Sequence, residues 1–148
     1  MITYTVTVDE YNTKRWYLND KLHREDGPAV EFASGNKSWH RNNKLHREDG
    51  PAVEYANGDK SWYRDGKRHR TDGPAIEHAD GSKWWYLNDK RHRIDGPAVE
   101  DANGARKWFL DGIQYTQRDW KVKIQNLQNK CDGKVVEVDG VKYKLVAL

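Results

Sequence analysis

The sequence is short of the residues that ordinary cores and secreted frameworks are built from: one cysteine, one methionine, two phenylalanines and four prolines. A single cysteine, Cys131, excludes an intramolecular disulfide framework and a cysteine-based zinc site. Its place beside a turn signal reads as an incidental thiol rather than a nucleophile. No apolar run approaches the ~18 residues of a membrane span. The first residues, "MITYTVTVDE", lack the basic and apolar regions of a signal peptide. A soluble cytoplasmic protein without membrane contact is the expectation. Neither sign of charge dominates: 26 basic against 23 acidic residues leave +3, which permits an anionic partner without demanding one.

Mean hydropathy is −1.11 and one residue in three is charged, a balance typical of disordered chains. Seven tryptophans and eight tyrosines argue against disorder, and so does their spacing. Pro28, Pro51, Pro74 and Pro97 are each 23 residues apart. Trp16, Trp39, Trp62, Trp85 and Trp108 keep the same step, as do His23, His46, His69 and His92, and Asp26, Asp49, Asp72 and Asp95. Repeats of this length imply one supersecondary unit stacked on the next.

Each unit carries two turn signals. One is Ser34-Gly35, Asn57-Gly58, Asp80-Gly81 and Asn103-Gly104, for which a type I′ turn is expected. The other is Asn19-Asp20, Asn42-Asn43, Asp65-Gly66, Asn88-Asp89 and Asp111-Gly112. The unit is therefore a β-hairpin and the fold class mainly β, a repetitive antiparallel hairpin sheet. A two-residue loop at Asn57-Gly58 would set Val53 opposite Trp62 and Tyr55 opposite Lys60. Val30/Trp39, Val53/Trp62, Ile76/Trp85 and Val99/Trp108 would then form a buried stripe. Across the second turn Trp62 faces His69. Residues 1–13 read as an N-terminal capping strand, 14–115 as the repeats, and 116–148 as a C-terminal α-helix and terminal hairpin cap. Tyr115 stands where a fifth histidine is due, and Thr116 with Asp119 resembles a capping box. Trp120, Ile124 and Leu127 fall on one helical face. After Asp132-Gly133, "KVVEVDGVKYKLVAL" reads as a hairpin around Asp139-Gly140, with Val136, Val138, Val141 and Tyr143 on one face.

The segment "WYRDGKRHRTDGPAIEHADGSKWWY" at 62–86 combines the period, both turns and a Lys67-Arg68-His69 element. In these respects it resembles MORN repeats, and the resemblance extends over about residues 14–112. The chain is a variant: "KSWY"-type strands replace the aromatic–glycine strand of that family, and Arg replaces the Gly after His. Arrays of "HRxDGPA" units ending in a short helix and hairpin are also similar to those of uncharacterised phage and bacterial proteins. That similarity implies, in its most concrete form, a phage protein that binds and blocks a bacterial host factor such as a defence component, in the host cytoplasm.

A His, an Arg and an Asp in fixed order suggest acid–base or metal chemistry, yet four equal copies do not resemble one asymmetric catalytic cleft. Histidines roughly 10 Å apart along a sheet do not converge on one ion. The trio reads better as a corner, with Pro starting a strand and Asp accepting turn N–H groups. Arg would pair with that Asp or with Glu31, Glu54, Glu77 or Glu100. No catalytic residue, metal or cofactor is expected.

The expected function is non-catalytic protein binding by a repeat surface, with recognition in the non-repeating residues. Trp84 stands where other units have Ser38, Ser61 and Lys107. With Tyr63, Tyr86 and Phe109 on the same face it is the candidate interface, unless the C-terminal helix covers that face through Trp120. The alternative is a nucleotide, nucleic-acid or other anion site on basic residues interleaved with aromatics: Lys60, Lys83, Arg106, Arg70 and Arg93. The open first strand is either capped within the chain or paired with a second copy.

Overall fold

The computed structural model describes residues 2–131, 135–138 and 141–144. Every repeat folds into two successive hairpins. The first hairpins, such as Val53–Glu54 with Lys60–Ser61, lie side by side in one 12-stranded antiparallel sheet. That sheet runs from Thr5–Val8 at one edge to Ile113–Tyr115 at the other. The second hairpins form separate two-stranded ladders: His40–Arg41 with Lys44–Leu45, Tyr63–Arg64 with Lys67–Arg68, and Tyr86–Leu87 with Lys90–Arg91. Trp39, Trp62 and Trp85 interrupt the strand between the two hairpins of their units.

Turn chemistry accounts for both bends and corrects the expected register. At the second turn Asp65 (φ 50°) and Gly66 (φ 83°) are both left-handed, as a two-residue type I′ loop requires. Asn42-Asn43 and Asn88-Asp89 adopt the same form, with residues that tolerate positive φ. The first turn is different. Gly58 N–H bonds to the Tyr55 carbonyl at 2.9 Å, Tyr55 N–H bonds to the Asp59 carbonyl, and in the Asn57-Gly58 pair Gly58 alone has positive φ. This is a three-residue loop ending in a glycine bulge, not the expected two-residue I′ loop.

The extra residue slips the pairing by one, and a slip of one exchanges the faces. Val53 faces Ser61 rather than Trp62, and Glu54 faces Lys60. Likewise Val30 faces Ser38, Ile76 faces Trp84 and Val99 faces Lys107. The Val/Trp stripe is thus replaced by two rows. One alternates Val30, Ser38, Val53, Ser61, Ile76, Trp84 and Val99. The tryptophans instead bind backbone to backbone with alanine: Trp39, Trp62 and Trp85 donate to Ala52, Ala75 and Ala98, each at 2.8 Å. The pairing across the second turn is as expected, with His69 N–H on the Trp62 carbonyl at 3.1 Å.

The core is correspondingly thin. Ala29, Ala52, Ala75 and Ala98 are 0% exposed, while among the described residues no large side chain is fully buried. Ala98, Val99 and Phe109 form a cluster to which Trp84 and Trp85 add partly buried rings. Short polar links join neighbouring repeats. Asn36, Asp59 and Ser82, one per unit, accept the N–H of Ala56, Ala79 and Ala102 in the next turn at 2.8–2.9 Å. Along the second hairpins Asn43, Gly66, Asp89 and Gly112 donate to Leu22, Leu45, Arg68 and Arg91 of the unit before.

Trp108 pairs with Tyr115, and the helix Gln117–Cys131 starts at once. Thr116 Oγ1 accepts the Asp119 N–H at 3.1 Å and donates to its carboxylate, which is the expected cap. Of the expected helical face, Trp120 is buried, with its indole N–H on the Arg93 carbonyl at 3.1 Å, while Ile124 is half-buried and Leu127 is exposed. The helix packs on Arg106–Leu110 and Ile113–Tyr115, the last hairpin of the array, where Phe109, Leu110 and Trp120 are buried. Val135–Val138 pairs with Val141–Lys144 in the expected register, Val136 with Tyr143 and Val138 with Val141. Asp132-Gly133 and Asp139-Gly140 lie outside the described residues, as does the Cys131 side chain.

Gly58→Ala places a β-carbon at φ 96°, a region that glycine alone enters freely. It is expected to cost about 1–2 kcal/mol, read as a lower urea midpoint with an unchanged slope.

Candidate binding surface

The repeated corner is built around its arginine. Arg70 lies flat on Trp62, 4.0 Å from the ring centroid. Its Nε donates to Asp72 at 2.9 Å, and its Nη1 donates to the Pro74 carbonyl at 3.2 Å and to Glu77 at 2.9 Å. Arg24 on Trp16, Arg47 on Trp39 and Arg93 on Trp85 repeat the stacking, each with its own Asp, Pro and Glu acceptors. The glycine after each aspartate leaves room for the guanidinium to sit where it does. A β-carbon on Gly73 would meet Arg70 Cζ at 2.9 Å, and Gly27 and Gly50 stand equally close to Arg24 and Arg47. Asp26, Asp49 and Asp72 therefore hold guanidinium groups rather than turn N–H groups alone. The neighbouring Arg side-chain hydrogen bond draws each carboxyl below its ordinary value of 3.8.

Each histidine joins one corner to the next unit. His46 Nδ1 takes the Asp65 N–H at 3.0 Å, and His69 and His92 Nδ1 take the Asn88 and Asp111 N–H at 3.4 and 3.1 Å. His23 reaches Asn42 at 3.1 Å. Open grooves of about 500 to 680 Å³ separate consecutive corners, with His, Trp and Asp side chains in their walls. Among the described residues, no group of three or more His, Cys, Asp or Glu is placed to hold a metal ion.

The basic residues expected to hold an anion have two different surroundings. Arg70 and Arg93 are engaged in their corners. Lys60, Lys83 and Arg106 are exposed, but the register sets each across from glutamate: Lys60 between Glu54 and Glu77, Lys83 between Glu77 and Glu100, Arg106 beside Glu100. From Lys14 to Arg106 this row alternates in sign, so it offers no uninterrupted positive strip.

The aromatic candidates divide as well. Tyr86 and Phe109, expected on an exposed face, are 4% and 7% exposed. Arg68 caps the Tyr86 ring at 4.3 Å, while Arg91 donates to the Tyr86 hydroxyl at 3.1 Å and lies 5.3 Å from the Phe109 ring. Tyr63 is half-buried, and burial pushes its phenol pKa upward. His40, at the same position one unit earlier, is pushed down by burial, with Nε2 on Ser38 Oγ at 3.0 Å.

Trp84 remains half-exposed and makes the one built irregularity among these. Its ring meets His78 edge-on at 4.8 Å, and its N–H donates to Asp101 at 3.1 Å. His78 Nδ1 is 3.4 Å from Asp59, and His78 Nε2 is enclosed without a hydrogen-bond partner. His78, Asp80, Ser82, Trp84, Asp101 and Asn103 line an open pocket of about 470 Å³. The Ala79 N–H holds the Asp59 carboxyl low, and the Ser82 N–H does the same for Asp80. The pocket thus offers an indole beside the carboxylates of Asp80 and Asp101. His78 and Asp101 were not anticipated from the sequence, although both break a column that reads Phe32 and Tyr55 in earlier units.

These features define a β-hairpin repeat protein in which the irregular residues His78, Trp84 and Asp101 meet at one pocket. No protein-family model matches the chain, and no curated protein matches it at a significant level. The likeness to MORN repeats therefore rests on the period and the two turns.

Two outcomes test the corner. Arg70→Lys keeps the charge but loses the flat stacking and the forked hydrogen bonds. It is expected to cost about 1–3 kcal/mol in urea unfolding, most of it from Trp62 and Glu77 because Asp72 is largely exposed. The lowered aspartates also set a pH dependence. Their stabilisation is complete above the ordinary carboxylate pKa and is lost as pH falls through the lower folded value. The urea midpoint should therefore drop below about pH 4, and Asp72→Asn should flatten that drop.

Proposed function

We propose that the protein is a non-catalytic scaffold that binds a protein partner, with the contact centred on Trp84. The observation that carries this reading is the pocket itself: an indole set into an otherwise regular surface, walled by Asp101, Asp80 and His78. Half-exposed tryptophan in a recess is the residue type that most often anchors an interface. The carboxylates around it suit a partner side chain that combines apolar surface with positive charge or N–H donors. Occupation of the repeated His, Arg and Asp groups by one another supports a structural role for them and leaves recognition to the irregular residues. A phage antagonist of a bacterial host factor is the narrower form of this proposal, and it rests on the resemblance to HRxDGPA arrays.

Trp84→Ser restores the residue of the preceding units and removes the anchor; because the ring also packs on Ala98, Val99 and Phe109, circular dichroism of the variant is recorded alongside to show that the array is folded. Immobilised wild-type protein should retain a specific protein from bacterial lysate that the Trp84→Ser variant does not retain. Identical retention by both proteins overturns the proposal. A saturable tryptophan-fluorescence response to nucleotides or oligonucleotides, abolished by Lys60→Ser or Lys83→Ser, would transfer the function to anion binding.

A further inference from the structure

We propose that the free edge of Thr5–Val8 pairs with the same edge of a second copy, so that two arrays join into one continuous sheet about a two-fold axis at Thr7. The proposal rests on this edge and not on the Trp84 pocket.

The hydrogen-bonding phase of the strand is fixed. Asp9 N–H bonds inward to the Thr13 carbonyl at 3.2 Å, and the register continues as Val8 with Lys14, Thr7 with Arg15, and Val6 with Trp16. Inward bonding alternates along an antiparallel strand, so Thr7 and Thr5 share the direction of Asp9. Val6 and Val8 point their N–H and C=O groups outward. Trp16 agrees with this phase: opposite Val6, it donates the other way, to Ala29 at 2.9 Å.

The edge strand is short, four residues followed by Asp9, but within it the side chains that keep strands apart are missing. Thr5, Val6, Thr7 and Val8 are all β-branched, uncharged and exposed, with Val6 at 49% and Val8 at 58%. Lysine, proline and a bulge are all missing from it. Among the described residues no strand lies beyond it, whereas at the opposite edge Ile113–Tyr115 runs into the capping helix. One open end and one closed end give a closed pair rather than a filament.

The chemistry of the edge selects its own copy. With Thr7 opposite Thr7, Val6 lies opposite Val8 of the second copy. Both valines then exchange both backbone groups, valine meets valine on the tryptophan face, and on the other face Thr7 meets Thr7 while Thr5 lies opposite Asp9 of the second copy. A register shifted by one residue would set valine against threonine. A register centred on Val6 would pair only Val6 by both groups within the strand.

Light scattering after gel filtration is expected to give twice the 17.3 kDa chain mass. The Val6→Glu/Val8→Glu and Val6→Lys/Val8→Lys variants should each run as single chains with unchanged circular dichroism, because like charges would face each other. Mixing the two variants should restore a dimer, a result that misfolded variants could not give. In a Cys131→Ser background, Thr7→Cys should cross-link on mild oxidation and Asn103→Cys should not. A wild-type mass of one chain at the highest soluble concentration overturns the proposal. So does a dimer that survives either double substitution, and cross-linking through Val6→Cys in place of Thr7→Cys overturns the register.

Discussion

A guanidinium laid flat on an indole holds each repeat together. The arginine two residues before the aspartate covers Trp16, Trp39, Trp62 or Trp85 and binds three oxygens around it. This arrangement compensates for a chain with almost no aliphatic interior: alanines are the fully buried residues, and a guanidinium covers the ring of Trp16, Trp39, Trp62 and Trp85. Arginine suits this place because it is weakly hydrated, planar and able to donate in several directions at once. The neighbouring glycine is part of the same device, since a β-carbon on Gly27, Gly50 or Gly73 would come within 2.9 Å of the guanidinium and oblige it to shift.

Periodicity and irregularity divide the molecule's tasks. Within the period, side chains satisfy one another: Arg with Asp and Glu, and His with the next turn. Outside it, His78, Trp84 and Asp101 meet at one pocket, where the indole takes the place of serine in earlier units and the imidazole that of Phe32 and Tyr55. A regular frame fixes the position of such substitutions, because the strand register on either side is already set by the neighbouring hairpins.

The period, the hairpin architecture, the helix start at Thr116 and the pairing of Trp62 with His69 were all legible, because spacing and capping chemistry act locally. The register of the first turn was not. Asn-Gly supports both a two-residue and a three-residue loop, and the choice depends on the bulge at Gly58, which no pattern of hydrophobicity reveals. That one residue moved valine to the serine row and brought alanine to tryptophan. The burial of Tyr86 and Phe109 was hidden for another reason. It depends on Arg68 and Arg91 bending over their rings, where earlier units carry Leu22 and Leu45. Trp84 stood out as an interruption of a column, and the same test applied to the Phe32 column would have added His78 and Asp101.

The links between units also determine how the molecule responds to a change in its length. Hydrogen bonds from Asn36, Asp59 and Ser82 reach 20 residues ahead, and those from Asn43 and Asp89 reach 21 residues back, always to the adjacent unit. Cohesion therefore passes from neighbour to neighbour, and contacts remain short in sequence whatever the total length. Deleting or duplicating a whole 23-residue unit preserves each junction, while losing a single residue mismatches two of them. Such a chain is suited to growing or shrinking by copying of its coding segment, in steps of one full unit.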